Sequence, residues 1–222
     1  MKIEKIPLAE CQKADGYVVV IDVLRAFTTA AYAFGAGAEE MQLVSTVEEA
    51  LSLKAQNPSL ILTGELKGQI IPGFDFGNSP CEIAKADLRG KKLVQRTSAG
   101  TQGVVLCRNA DVMLTASFAV AEATFRAILK DNPAKITFII TGTNWDSSAD
   151  EDLALADYLE ERIYGKTVDP QPYLKRVLES EDAVSFSGLH PTYAEDVKTA
   201  MLIDRFSFAM KVHSGNILRK FI

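Results

Sequence analysis

Residues 17–34 read YVVVIDVLRAFTTAAYAF. The first five, Tyr17 to Ile21, form an unbroken apolar run that Asp22 closes. A run that short and that continuous predicts a strand buried on both faces, as in a parallel sheet covered by helices. From Ala26 to Phe34 the residues suit a helix. Strand followed at once by helix is half of a βαβ unit, so the fold turns on whether the unit repeats.

It repeats along most of the chain. Met41 to Ser45 is a second strand, and Thr46 with Glu49 gives a capping-box spacing ahead of a helix to about Gln56. Ser59 to Thr63 is a third strand, Lys91 to Gln95 a fourth, Asp111 to Thr115 a fifth and Lys135 to Thr141 a sixth. Helices are expected over Gly100 to Arg108, Phe118 to Lys130 and about Ala149 to Tyr164. Strands alternating with helices predict an α/β fold of three α/β/α layers with a mostly parallel sheet. Pro170 to Glu179 and Pro191 to Ile203 read as helical, and Ser207 to Val212 alternates as an edge strand would. No repeat, low-complexity tract or linker divides the 222 residues, so one domain spanning 1–222 is expected.

The stretch TGELKGQIIPGFDFGNSP, Thr63 to Pro80, interrupts this rhythm. Loops that long are uncommon in compact domains, and functional ones are prominent among them. Its exit is defined: Ser79-Pro80-Cys81-Glu82 places an N-cap, a proline at the first helical position and an acid at the third.

Composition narrows the chemistry. The net charge of −5 argues against a nucleic-acid partner, which selects a basic face. The start, MKIEKIPLAEC, has no signal-peptide core, and no run approaches the roughly 18 apolar residues of a membrane span. Three cysteines, Cys11, Cys81 and Cys107, show no metal spacing and read as reduced thiols, so a cytoplasmic location is expected. His190 and His213 are isolated, which argues against a histidine base or nucleophile, and Trp145 reads as loop packing.

In open α/β sheets, ligands bind beyond the carboxyl ends of the strands. Asp22, Arg25 and Thr28 follow the first strand; Gly64, Glu65 and Lys67 follow the third. Arg96-Thr97-Ser98-Ala99-Gly100-Thr101 follows the fourth, Ser117 and Phe118 the fifth, and Gly142-Thr143-Asn144 the sixth, with Glu151-Asp152 shortly after. If the sheet is parallel, all of these point to one rim. The hydroxyl-rich turn Thr97 to Thr101 leads into a helix and offers amides to an anion, although it is not a GxxxxGK[ST] loop. Several carboxylates at one rim suit a hard cation such as Mg²⁺, and arginines suit a phosphate. The combination points to metal-assisted phosphoryl chemistry.

These residues resemble a known family, the 2-phosphosulfolactate phosphatases of coenzyme M biosynthesis. The likeness lies in VIDVLRAFTTA (20–30), GELKGQIIPGFDFGNSP (64–80), QRTSAGTQG (95–103) and ADEDLALADYLEE (149–161). Family members often read TNGT where this chain has Ser98-Ala99-Gly100-Thr101, so one amide side chain is missing from the turn. The resemblance implies a Mg²⁺-dependent hydrolase that splits 2-phospho-3-sulfolactate into 3-sulfolactate and phosphate. It implies catalytic roles for Asp22, Arg25 and Arg96. It implies substrate contacts from Thr28, Lys67, Asn78, Thr97, Ser98, Gly100 and Thr101, and metal ligands among Asp22, Glu65, Asp75, Glu151 and Asp152. Direct attack by water and a phospho-aspartate on Asp22 are both open. So are two other readings: a phosphatase for another small phosphomonoester, and a non-catalytic metabolite-binding domain. The tail strand could pair between subunits, giving a homodimer, or simply cover the core.

Overall fold

The structure is a computed structural model, described here for residues 1–142, 149–189 and 191–221. Thr143, Asn144, Trp145 and His190, singled out above, lie outside the described residues.

Strands β1 (Lys2–Pro7) and β2 (Asp15–Ile21) precede helix α1 (Ala26–Gly35). Then follow β3 (Glu40–Leu43), α2 (Val47–Gln56), β4 (Ile61–Leu66), β5 (Gln69–Ile70) and α3 (Pro80–Ile83). The middle of the chain gives β6 (Lys92–Arg96), α4 (Gly100–Leu106), β7 (Asn109–Ala116), α5 (Ala121–Asp131) and β8 (Lys135–Ile140). The last third gives α6 (Asp150–Ile163), α7 (Gln171–Glu179), α8 (Glu181–Leu189), α9 (Pro191–Ala200), β9 (Ala209–His213) and β10 (Ile217–Phe221).

The strands form one sheet in the order β1-β8-β2-β7-β9-β10-β3-β6-β4-β5. The expected α/β class and mostly parallel sheet hold. β1, β8, β2 and β7 pair in parallel, and so do β3, β6 and β4. The antiparallel hairpin β9–β10 joins these two blocks, pairing antiparallel with β7 on one side and β3 on the other. The blocks therefore run in opposite senses across the sheet, and a single rim does not follow from parallel pairing alone. The ends of β2 and β6 meet nevertheless: Gln95 Nε2 donates to the Ala26 carbonyl at 3.0 Å.

β2 is the central strand that YVVVI predicted. Tyr17, Val19 and Ile21 pack in one core cluster with α5 and α6, and Val18 and Val20 in another with α1 and α4. Successive side chains point to opposite faces, so every residue of the run is covered. A third cluster packs Ala50 of α2 on Leu62 and Val94. Half of the capping box is realised, with Glu49 N donating to Thr46 Oγ1 at 3.1 Å, while the Glu49 carboxylate accepts from Ser45 N, one residue before the cap, at 3.3 Å.

The tail strand is a correction. Ser207 to Val212 was expected at an edge, but β9 lies inside the sheet with both sides paired. Alternation reports one solvated face, not a free edge: Met210 is buried while Lys211 is half-buried. An inter-subunit pairing through β9 is therefore blocked by β7 and β10. The Thr63–Pro80 stretch is also less loose than expected, because β4 extends to Leu66 and turns back as β5. Strand β1 and helix α8 carry no strong periodic signal and were not anticipated. No helix among the described residues is long and apolar enough to cross a membrane.

Candidate active site

Asp22 follows β2 directly and is 5 % exposed. Its Oδ1 accepts from Ala26 N at 2.7 Å, so it caps α1. Its other oxygen faces α4: a Cβ built on Gly100 would stand 2.6 Å from Asp22 Oδ2. Only glycine lets the head of α4 come this close. Burial pushes the Asp22 carboxyl up to about 6, the Ala26 amide works against that rise, and the charges of Glu65 and Asp182 add to it.

The turn into α4 is internally bonded. Thr97 N donates to Thr101 Oγ1 at 2.9 Å, and Thr101 N to Thr97 Oγ1 at 3.0 Å. This reciprocal capping satisfies two backbone donors. Glu65 holds the turn from the side of β4: Oε1 accepts from Ser98 N at 2.5 Å, and Oε2 from Gly68 N at 2.6 Å. Arg96 braces the same corner, with Nη1 donating to the Glu65 carbonyl at 2.9 Å and Nε to the Ser45 carbonyl at 3.3 Å. Gly64 permits the approach; its φ is +143°, and a Cβ there would stand 1.9 Å from the Arg96 carbonyl. Lys67 is exposed, and its backbone amide donates to Ser98 Oγ at 3.0 Å.

A second acidic group stands behind Asp22. Asp152 is 2 % exposed and ties the ends of β2 and β8 together. Its Oδ1 accepts from Val23 N at 2.7 Å, and its Oδ2 lies 3.2 Å from both the amide and the hydroxyl of Thr141. Burial, then the charges of Glu151 and Asp22, raise its pKa well above the carboxylate range. The Thr141 hydroxyl faces two acceptors, Asp152 Oδ2 at 3.2 Å and the Ile21 carbonyl at 2.9 Å. Glu151, 2 % exposed, is pushed up to about 8 by burial and then by the charges of Asp182 and Asp22. Asp182, at the start of α8, hydrogen-bonds Glu151 and is itself raised by burial. Two carboxyl groups can share such a bond only if the pair holds a proton between them.

The structure thus brings Asp22, Glu65, Thr97, Ser98, Gly100, Thr101, Glu151 and Asp152 into one neighbourhood. Asp75 stands apart. Its Oδ2 accepts from Lys54 Nζ at 2.9 Å and Leu62 N at 2.8 Å, which locks the loop to β4. Burial raises its pKa, but the Leu62 amide and the Lys54 ammonium outweigh that and hold it below the usual value. Thr28 spends its hydroxyl on the Val23 carbonyl at 2.7 Å. Arg25 and Asn78 line a neighbouring cavity of about 290 Å³.

Sequence reasoning missed three residues here. Asp182 follows Ser180, whose Oγ accepts from Ala183 N at 3.2 Å as a helix cap; that serine was the available signal. Asp196, 0 % exposed, accepts from Arg25 Nη1 at 2.7 Å, Ser79 Oγ at 2.7 Å and Cys81 N at 3.2 Å. Tyr193 lies over Arg25, with the guanidinium carbon 4.3 Å from the ring centroid. Asp196 shares the inward face of α9 with the buried Val197 and Ala200, and a charge at an apolar helical spacing is the signal that would have found it.

Among the described residues, no three acidic, histidine or cysteine side chains converge as a ready cage for a metal ion. Mg²⁺ asks for less: it is commonly held by one or two carboxylates and completes its shell with water. The Glu151–Asp182 pair, all oxygen and sharing a proton that a dication would displace, fits that ion.

A family profile described as 2-phosphosulpholactate phosphatase matches residues 3–214. The chain is also similar to three proteins, each named "Probable 2-phosphosulfolactate phosphatase". The Bacillus subtilis (strain 168) protein is 39 % identical over 152 residues, 68 % of this chain and 65 % of the relative. The Parasynechococcus marenigrum (strain WH8102) protein is 36 % identical over 148 residues, 65 % of this chain and 60 % of the relative. The Clostridium perfringens (strain SM101 / Type A) protein is 34 % identical over 173 residues, 75 % of this chain and 70 % of the relative. The match thus spans less than two thirds of the first two relatives' own lengths.

Proposed function

The chain belongs to the 2-phosphosulpholactate phosphatase family, and on that premise we propose that it hydrolyses a small phosphomonoester carrying a sulfonate, 2-phospho-3-sulfolactate, with Mg²⁺. One observation carries the reading: the buried Asp22 carboxyl, with a pKa near 6, faces Gly100 at the head of the Thr97–Thr101 turn.

The chain's own groups divide the work. The phosphoryl oxygens lie against the turn, with Ala99 and Gly100 as amide donors, since those of Thr97, Ser98 and Thr101 are spent on side chains. Glu65 and Arg96 fix the turn rather than touch the substrate, and such preorganised donors supply the largest share of catalysis in many enzymes. Asp22 Oδ1 is engaged by Ala26 N, so Oδ2 is the oxygen that moves a proton. Water attacks phosphorus and gives its proton to Oδ2, the bond from phosphorus to the alcohol oxygen breaks, and the departing alkoxide is protonated by solvent. A pKa near 6 places this base close to neutral working pH. Glu151 and Asp182 are the ligands we assign to Mg²⁺, which when bound supplies positive charge for the phosphoryl group. The product would feed coenzyme M synthesis in the cytoplasm.

Phosphate release from 2-phospho-3-sulfolactate tests the reading, with and without chelator, in wild type and Asp22→Asn. Metal-dependent release by the wild type supports it. Absence of release from this and every other phosphomonoester tried leaves the chain a binding domain.

A further inference from the structure

The turn that carries the phosphoryl donors is braced from within its own helix. Gln102 is the third residue of α4, and Ala99 is the N-cap, with no side-chain bond of its own to the helix. A glutamine or glutamate at that third position typically reaches back to the N-cap amide. Gln102 turns away instead. Its Nε2 donates to the Thr97 carbonyl at 3.0 Å and to the Ser45 carbonyl at 3.1 Å, and lies 3.4 Å from Thr101 Oγ1. Two carbonyl oxygens as neighbours require the NH₂ end of the side chain, since an amide oxygen cannot donate.

Gln102 shapes the turn in two ways. The peptide that joins Thr97 to Ser98 is fixed at both ends: its carbonyl accepts from Gln102 Nε2 and from Thr101 Oγ1, and its amide donates to Glu65 Oε1 at 2.5 Å. The Ala99 and Gly100 amides come directly after it in the chain, so a fixed peptide there limits where they point. The Ala99 amide is also spared, because the side chain spaced to accept from it is held on two carbonyls. The fold needs Gln102 less than the turn does. The Thr97 carbonyl has the Thr101 hydroxyl at 3.0 Å as a second donor, and the Ser45 carbonyl has Arg96 Nε at 3.3 Å.

We propose that Gln102 is a positioning residue for the phosphoryl site: it holds the Thr97–Ser98 peptide and leaves the Ala99 amide for the phosphoryl oxygens. The role rests on the reading of the turn as the place where phosphate binds. Glu65 and Arg96 act on the turn from β4 and β6. Gln102 stands on the helix that the turn begins, so its identity decides whether the chain itself or the ligand takes the Ala99 amide.

Inorganic phosphate is the probe, titrated calorimetrically with Mg²⁺ into wild type, Gln102→Met and Gln102→Glu. Each protein is also melted thermally, and phosphate release from 2-phospho-3-sulfolactate is measured beside the titrations. Methionine keeps the length and loses both donors, so phosphate affinity and kcat should each fall about tenfold. Glutamate goes further. Two carbonyls repel its carboxylate and the Ala99 amide attracts it, and there it both consumes a donor and sets a negative charge against phosphate. Gln102→Glu should thus melt at or above Gln102→Met and yet bind phosphate more weakly than it. A purely structural glutamine would tie the two measures together. If no ester is hydrolysed yet phosphate affinity ranks wild type above Gln102→Met above Gln102→Glu, the positioning role stands and the phosphatase reading falls. Equal affinities in all three proteins, affinities that follow the melting temperatures, or no phosphate binding to wild type overturns the role.

Discussion

Asp22 and Gly100 meet where the two parallel blocks of the sheet converge: the first is the residue that follows β2, the second the first residue of α4. A methyl on Gly100 would stand 2.6 Å from both Asp22 Oδ2 and Ala26 Cβ. Ala26 sits in a buried helix start and cannot yield, so the contact ties catalytic geometry to core packing.

Gly100→Ala should therefore damage both. Overpacking of this sort costs about 1–3 kcal/mol, read as a lower midpoint in urea. Activity per folded molecule should also fall, because the turn must retreat from Asp22. A variant that folds and turns over like wild type would show that the close approach has no role.

Arg25 and Asp196 form an ion pair with side chains 2 % and 0 % exposed. Removing Asp196 takes the buried carboxylate away from the Arg25 guanidinium, so Asp196→Leu should cost about 3–5 kcal/mol. Adding Arg25→Met should recover much of that loss, because the pair's net worth is far smaller than the cost of breaking it. Thermal melts of both single variants and the double variant give the coupling directly.

Stability should fall as pH rises through the acid cluster. Glu151 is held at about 8 and Asp22 at about 6, both above their values in the unfolded chain. Between those unfolded values and the folded ones, the native state binds more protons than the unfolded state. Its advantage is thus complete below about pH 4 and is lost progressively up to about pH 8, by an amount on the order of a few kcal/mol. Urea titrations from pH 4 to 9 should show that slope, and Glu151→Gln should flatten it. Stability rising over this range would contradict the shared proton.

Asp75 and Glu151 should separate under Mg²⁺. Asp75 accepts from Leu62 N and Lys54 Nζ, so Asp75→Asn should cost about 1 kcal/mol of stability through its hydrogen bonds and leave Mg²⁺ affinity in place. Glu151→Gln should weaken Mg²⁺ binding by more than about tenfold, the scale of one lost ligand interaction. Calorimetry on the two variants checks the contrast, and the reverse ranking would return Asp75 to the metal.

How much of this was legible in the sequence depended on range. YVVVI marked the central strand because a strand covered on both faces leaves a continuous apolar run, and Ser79-Pro80 marked a helix start because caps are local. The place of β9 was not legible: pairing partners more than 90 residues apart decide it, and alternation reads the same in a central strand with one bare face. In the site, the turn Thr97 to Thr101 and the acids Glu151 and Asp152 stood close to recognisable strand ends. Asp182 and Asp196 did not. They arrive from α8 and α9, and only tertiary packing carries them to residues that precede them by 31 and 171 positions.

The most direct test of the central claim is a phosphate-release assay on 2-phospho-3-sulfolactate with Mg²⁺, comparing wild type with Asp22→Asn. The account predicts equimolar phosphate and 3-sulfolactate from the wild type, loss of turnover on chelation, and a fall of about 10²–10⁴-fold in kcat for Asp22→Asn, the scale of a lost general base. Equal rates in the two proteins, or no phosphate from either, would contradict it.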